Sequence, residues 1–372
     1  MNQIKKSRQD YWLSLAVFGL IAFGLIMIYS VSKYYSLQIT KEATDKYYLL
    51  KQLQWLGIGV VVWAIFGMID YRYWQKISKN MLYATLILIL LPLILHGGAG
   101  ERWVNLGIGS FQPSEIAKFT FVIYLSSWFS GKGESLQSVQ KMFIPFASIV
   151  FFISFIMLLQ KDLGTLSIML AIAASIIIIA GAPLYQLIAG GGIAAFLFWL
   201  AVKIEPYRME RLLTFLNPEN NALGSGYQIR NALIAIGSGG IWGLGFGQSR
   251  QKYLYLPEAH TDSIFAIISE ELGFVRAIFI VVVFVFIAMR GYKIATNAPD
   301  TFSRLLATGI TTWITVQMLV NIAAMLSLVP LTGVPLPFVS YGGSSLIVLL
   351  AAVGVLTNIS KNRLIVNDKN RK

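Results

Sequence analysis

The residues best suited to chemistry close one long polar stretch. They run Gly247-Gln248-Ser249-Arg250-Gln251-Lys252 and then Tyr255-Leu256-Pro257-Glu258-Ala259-His260-Thr261-Asp262. Asp262 stands just before an apolar run, where an aspartate is an ordinary helix cap. The same position also puts a carboxylate near His260, Arg250 and Lys252 in sequence. A base beside cations suits a reaction that deprotonates a hydroxyl and expels a phosphate. A second cluster is Ser114-Glu115-Ile116-Ala117-Lys118. Glu115 and Lys118 are i, i+3, so they share a helix face, as a structural ion pair or as part of a site. Upstream, Arg102 offers a planar, permanently charged fork that matches phosphate. Arg102-Trp103 also reads as a plain anchor at a membrane interface. In Gln160-Lys161-Asp162-Leu163-Gly164-Thr165, Asp162 is either a cap for the following helix or a site carboxylate.

Two further segments bear on how such groups are held. Residues Gly237 to Gly247 are glycine-rich but lack the Lys-Ser/Thr of a phosphate loop and the preceding strand of a dinucleotide fold. They read as close backbone packing or a re-entrant turn. Pro335-Leu336-Pro337-Phe338-Val339-Ser340-Tyr341-Gly342-Gly343-Ser344-Ser345 breaks helix and permits irregular backbone beside a cavity. Glu270, Glu271 and Arg276 lie inside an apolar run, where ionisable side chains need partners. Glu271 and Arg276 are five apart, so a partner on another element suits either of them as well.

The elements that must position these groups are membrane helices. Of 372 residues, 56% are hydrophobic and only 13% charged, against about 25% charged in a soluble domain. Disorder and nucleic-acid-binding tails are excluded on that balance. With no Cys and 2 His, neither a thiol nucleophile nor a Cys- or His-rich metal site is available. Ten apolar runs approach the length that crosses a bilayer, about 20 residues each. They cover 12–32, 52–69, 81–96, 114–130, 142–159, 163–181, 183–202, 263–289, 305–328 and 341–360. None alternates like a barrel strand, so the fold class is all-α and polytopic. The first run is too long for a signal peptide and lacks a cleavage site, so it reads as a retained helix.

With the N-terminus inside, cytoplasmic segments hold 16 Lys and Arg and the short outer loops hold 6. This bias places both termini in the cytoplasm, residues 1–11 at one end and the basic tail 361–372 at the other. The net charge of +13 then marks cytoplasmic loops and anionic membrane lipid, not nucleic acid. The stretch 203–262 is an outer loop of about 60 residues, far beyond the ~15 that structureless loops usually reach. Within it, Tyr207–Leu216 reads as a short amphipathic helix and Asn231–Ile236 as an apolar turn. The chain is one membrane domain, 1–372, with no soluble unit.

In this order the motifs resemble the SEDS family of bacteria (shape, elongation, division and sporulation). The matching stretches are Arg102-Trp103…Phe111-Gln112-Pro113-Ser114-Glu115…Lys118, Asp162-Leu163-Gly164-Thr165, Asn217-Pro218-Glu219…Gly226-Tyr227-Gln228, Ala235–Gly240, Leu256–Asp262 and Gly333–Ser344. They cover about residues 10–360 and are specific as a set. Gly247–Lys252 followed by Tyr255–Ala259 is most like the division branch, FtsW. Lys161 departs from the family, which commonly has proline there, and this bears on the geometry around Asp162.

The resemblance implies a ten-span fold, a large extracellular loop between spans seven and eight, and peptidoglycan glycosyltransfer. Lipid II, carried on undecaprenyl pyrophosphate, is joined into β-1,4-linked glycan on the outer face, here for septal wall synthesis. Asp262 is implied as the base, worth about 10²–10⁴ in rate because a sugar hydroxyl is hardly ionised at neutral pH. Substrate-binding candidates are Arg102, Glu115, Lys118, Asp162, Arg250, Lys252, His260 and Ser344. No ligand pattern demands a cofactor, and a divalent cation is compatible with the pyrophosphate. Expected partners are a class B penicillin-binding protein, which crosslinks the strands, and other divisome proteins. The competing readings are a lipid II flippase and a non-catalytic division scaffold.

Overall fold

The computed structural model describes residues 4–6, 9–95, 102–105, 110–131, 136–216 and 224–364. The Asn217-Pro218-Glu219 motif and the tail beyond Leu364 lie outside the described residues. Every apolar run forms a helix, because in hydrocarbon each backbone N–H and C=O must be satisfied within the segment. In chain order these are α1 (Tyr11–Ile39), α2 (Tyr47–Met68), α3 (Tyr71–Leu95), α4 (Pro113–Ser130), α5 (Ile144–Leu159), α6 (Leu163–Ala180) and α7 (Leu184–Ile204). After them come α8 (Pro206–Leu216), α9 (Ser225–Gly239), α10 (Ile264–Thr296), α11 (Thr301–Met325) and α12 (Gly343–Lys361). One π turn, Val139–Phe143, leads into α5. Eight of these helices are long and apolar enough to cross a membrane: α1, α2, α3, α5 with its π turn, α6, α10, α11 and α12. Two short antiparallel ladders complete the described residues: β1 (Ile4–Lys6) with β4 (Asn362–Leu364), and β2 (Val104–Asn105) with β3 (Ser110–Phe111).

The stretch 203–262 has structure of its own. Its amphipathic segment is α8, and the apolar turn at 231–236 is the middle of the longer α9. Arg208 and Arg211 of α8 donate to the carbonyls of Leu158 and Leu331, which pins α8 across the ends of the spanning helices.

The core lies along α11 and α12, most of whose residues are buried. α12 packs on α2, while α11 packs on α10, α6 and α4. Caps are supplied where the sequence placed aspartates. Asp10 accepts from Leu13 N at 3.2 Å, and Asp300 forms a capping box with Ser303; each such cap is worth about 1 kcal/mol. Asp10 also receives the guanidinium of Arg290, with Nε to Oδ2 at 3.1 Å, and its backbone N–H donates to Ser360. This ties the start of α1 to α10 and α12 at the end of the bundle that carries both termini.

α10 is not one straight span. At Gly273 (φ 80, ψ 176) it breaks into an upper segment, 264–272, and a lower one, 274–296. The glycine-rich stretch explains how the break is satisfied. Leu244 and Gly245 N–H donate to the carbonyls of Glu270 and Glu271, at 2.9 and 3.0 Å. Phe274 N–H, at the start of the lower segment, donates to Gly240 O at 2.9 Å. A β-carbon on Gly273 would collide with the backbone of Trp242 and Gly243, and one on Gly243 (φ 85) with that of Glu271 and Leu272. Two glycines thus let two backbones touch, which is the close packing read from the sequence. The apolar run read as one span thus holds two helical segments that meet at Gly273.

Candidate active site

The upper segment of α10 starts from a tightly wound turn that carries Asp262. Leu254 and Glu258 adopt positive φ, 66° and 50°. Glu258 O accepts from Thr261 N and Ser263 N at 3.2 and 3.1 Å, which curls the chain around Asp262. The Asp262 carbonyl is held by Asn321 of α11 at 2.7 Å, and the same amide reaches Val334 O at 2.7 Å. Asn321 therefore fastens the Asp262 turn to the irregular loop before α12. From that loop, Tyr341 N–H donates to His260 O at 2.9 Å. The Asp262 side chain is half-buried. Burial first, and the charge of Glu258 second, push its carboxyl up from 3.8 to about 6. A hydrogen bond from Thr261 and the charge of Arg211 act in the opposite direction. The result is a carboxylate ionised at neutral pH yet far more basic than an exposed one.

Arg102 faces Asp262 across Gly333. A β-carbon on Gly333 would lie 3.7 Å from both Arg102 Nη2 and Asp262 Oδ2. Gly333 itself has φ 66, a conformation glycine adopts freely. The Arg102 side chain is 32% exposed, so its fork still reaches solvent. Its other edge leans on Asp162, Nη1 to Oδ1 3.7 Å. Asp162 is buried and fully engaged: it caps α6 through Thr165 N at 3.0 Å, and it accepts from Thr165 Oγ1 at 2.8 Å and Gln112 Nε2 at 3.2 Å. Asp162 is thus both the cap and the support of Arg102. Lys161, where proline was the expected residue, has φ 56. Proline cannot adopt that angle, so this turn takes its own path while keeping the Asp162 cap.

The other cations are committed elsewhere. Lys118 is fully buried, donating to Glu115 Oε1 and Gln317 Oε1 at 2.9 Å each, and its ammonium lies 5.1 Å from the centre of the Trp313 ring. Gln317 in turn donates to Pro335 O at 3.0 Å, so the Glu115–Lys118 pair supports the loop beside Asp262 from below. Lys252 donates to Glu271 Oε1 at 2.9 Å and Gly247 O at 2.7 Å. Ser249 and the backbone N–H of Arg250 bind the Glu270 carboxylate, at 2.5 and 3.0 Å. Eight residues of α10 separate Asp262 from Glu270, about 12 Å along a helix axis. Arg250 and Lys252, neighbours of Asp262 in sequence, are therefore folded onto the far end of α10's upper segment, with the Arg250 side chain exposed. His260 sits among three rings, its centroid 5.3 Å from Tyr35, 4.4 Å from Tyr48 and 5.6 Å from Tyr341. Burial lowers its pKa, which keeps the imidazole neutral at physiological pH. Ser344 is buried in the first turn of α12.

Asn321, Gln317 and Arg211 join the site only in the structure, and Gly333, first residue of the Gly333–Ser344 stretch, gains its role there. Asn321 and Gln317 carried a signal, since they are polar residues four apart inside an apolar run. As neutral amides they lack the charge that marks Glu115, Lys118 or Glu271 within an apolar run. Among the described residues no group of three or more His, Asp or Glu is arranged to hold a metal ion. The arrangement can accept a proton from a hydroxyl at Asp262 and hold an anion at Arg102.

Residues 11–364 match the family profile of FtsW, RodA and SpoVE, described as cell cycle protein. Stage V sporulation protein E of Bacillus subtilis is 40% identical over 362 residues, 96% of this chain and 98% of that one. A probable peptidoglycan glycosyltransferase FtsW of Geobacter sulfurreducens is 37% identical over 367 residues, 97% of both chains. Among solved structures, a chain from a peptidoglycan synthase complex, described for its coordination of polymerization and crosslinking, shares the fold. It has a TM-score of 0.77 at 25% identity and covers 95% of this chain and 97% of that one.

Proposed function

The chain belongs to the FtsW/RodA/SpoVE cell cycle family, and on that premise we propose that it is a peptidoglycan glycosyltransferase polymerising lipid II, with Asp262 as its base. The observation that carries this reading is the half-buried Asp262 carboxylate, raised to about 6, facing the Arg102 fork across Gly333.

The reaction is one displacement. Asp262 takes the proton from the 4-hydroxyl of the acceptor sugar as its oxygen attacks the anomeric carbon of the donor. The bond from that carbon to undecaprenyl pyrophosphate breaks, and the leaving group departs with its own negative charge. An α-linked donor gives a β-linked product by inversion, so no covalent enzyme intermediate forms. Arg102 binds the departing pyrophosphate through paired N–H groups, and Asp162 holds it at the correct angle. Glu115 and Lys118 position the loop around Pro335, while Lys252 and Arg250 hold the bent start of α10. Both termini face the cytoplasm, and the site opens at the outer surface of the bacterial inner membrane. Its crosslinking partner is a class B penicillin-binding protein, in keeping with the synthase complex whose chain shares this fold. Gly247–Lys252, together with the FtsW and stage V sporulation relatives, supports the division branch and its sporulation counterpart over the elongation branch.

The test is direct. The purified protein, with its penicillin-binding partner, is given labelled lipid II and the product is resolved on a gel. A glycan ladder that lysozyme digests supports a polymerase. Its absence, with lipid II accepted by a control polymerase, moves the assignment to a flippase or a scaffold.

A further inference from the structure

A base that takes one proton per sugar added must also lose one per sugar added. With substrate seated against Arg102 and Gly333, the Asp262 face toward them is closed to water. The opposite face leads through one hydroxyl to an exposed carboxylate. Thr261 Oγ1 lies 3.4 Å from Asp262 Oδ1 and 2.7 Å from Glu258 Oε2, and Glu258 is exposed. A threonine hydroxyl has one proton to donate and two lone pairs that accept. Its single proton faces three acceptors, Glu258 Oε2 at 2.7 Å, Glu258 O at 3.1 Å and Asp262 Oδ1 at 3.4 Å. When the transfer has put a proton on Asp262, the longest of these contacts gains a donor of its own and the hydroxyl can accept from it.

From this geometry we infer that Thr261 and Glu258 form a relay that carries the proton from Asp262 to solvent after each sugar is added. The inference rests on Asp262 being the base. In the step, the Asp262 O–H bond breaks and its proton passes to Thr261 Oγ1, while the hydroxyl proton of Thr261 passes to Glu258. Glu258 then gives a proton to water, and both carboxylates are restored. Glu258 is held at φ 50, a left-handed backbone conformation that residues other than glycine rarely adopt. The same carboxylate also disfavours the charged form of Asp262. The other charged and titratable groups around the pair are Arg211 from α8, Arg102 from the loop before α4, and His260 on the turn itself. Tyr35 of α1 and Tyr48 of α2 lie in the field of Glu258, and Tyr341 packs on His260. Thr261 and Glu258 are positioning residues in this scheme, since neither touches the sugar.

The experiment measures steady-state polymerisation of lipid II by the full-length protein with its partner. The proteins are wild type, Thr261→Val, Thr261→Ser, Glu258→Gln and Asp262→Ala, assayed with and without imidazole as an external proton carrier. Thr261→Val keeps the shape of the side chain and removes the hydroxyl. It and Glu258→Gln should each lower kcat about tenfold with KM unchanged, less than the ~10²–10⁴ a positioned base itself contributes. Thr261→Ser should retain the wild-type rate, and imidazole should restore the rate of Thr261→Val. Wild-type rates in Thr261→Val, with Asp262→Ala inactive, overturn the relay and leave the base in place. A slow Thr261→Val that neither serine nor imidazole repairs means that Thr261 only supports the fold, which also overturns it. Full activity in Asp262→Ala removes the base assignment, and the relay with it.

Discussion

Replacing Asp262 by Asn should make the protein more stable at neutral pH while removing its activity. Folding raises the Asp262 carboxyl from 3.8 to about 6, mainly through burial. The folded state therefore holds this proton more tightly than the unfolded chain does. The carboxylate carries no penalty below pH 3.8, where both states are protonated. A penalty grows as pH rises through the interval and is complete above about 6. One pH unit corresponds to about 1.4 kcal/mol, which sets a ceiling of roughly 3 kcal/mol. Water at the half-buried group screens this to about 1–2 kcal/mol. Asn is neutral and of the same shape. The thermal midpoint in detergent should thus rise by about 2–8 °C at neutral pH, taking about 2–4 °C per kcal/mol. The gain should vanish below about pH 4, where wild-type Asp262 is itself neutral. A variant less stable than wild type at neutral pH, or a gain that persists at low pH, refutes the argument that the site holds a desolvated carboxylate.

Other consequences concern the supports of the site. The polymerisation rate should follow the ionised fraction of Asp262, so a pH–rate profile should fall about tenfold per unit below about pH 6. Lys252→Met leaves Glu271 buried without its cation and should destabilise by about 3–5 kcal/mol; adding Glu271→Leu should recover most of that loss in the same thermal melts. Gly273→Ala forces a β-carbon into the backbone of Trp242 and Gly243, so the folded yield on size-exclusion chromatography should collapse. Lys161→Gly should match or slightly exceed wild type in thermal midpoint, whereas Lys161→Pro should lower it, because φ 56 is open to glycine and closed to proline.

Much of the fold was legible because the bilayer allows so few solutions. Apolar runs of bilayer length must be helices, and α1 to α7 and α10 to α12 fall where those runs were read. Asp262, Arg102 and Asp162 were legible as residue types that pay for themselves only with partners nearby. What could not be read was distance through space. Arg250 and Lys252 look like neighbours of Asp262, yet the loop doubles back to cap the break at Gly273 and leaves them on Glu270 and Glu271. Lys118 reads as a cation for phosphate paired with Glu115, but a buried ammonium needs further acceptors, and Gln317 on another helix supplies one. The bend in α10 was hidden because Gly273 is one residue in an apolar run, and its partner Gly243 lies thirty residues earlier.

The central claim is that Asp262 performs the chemistry. Wild-type protein and Asp262→Ala, each with the penicillin-binding partner and labelled lipid II, should be compared on one gel, with thermal midpoints showing that both are folded. The account predicts a lysozyme-sensitive ladder from the wild type and none from the variant. A ladder of equal length and yield from Asp262→Ala would contradict it.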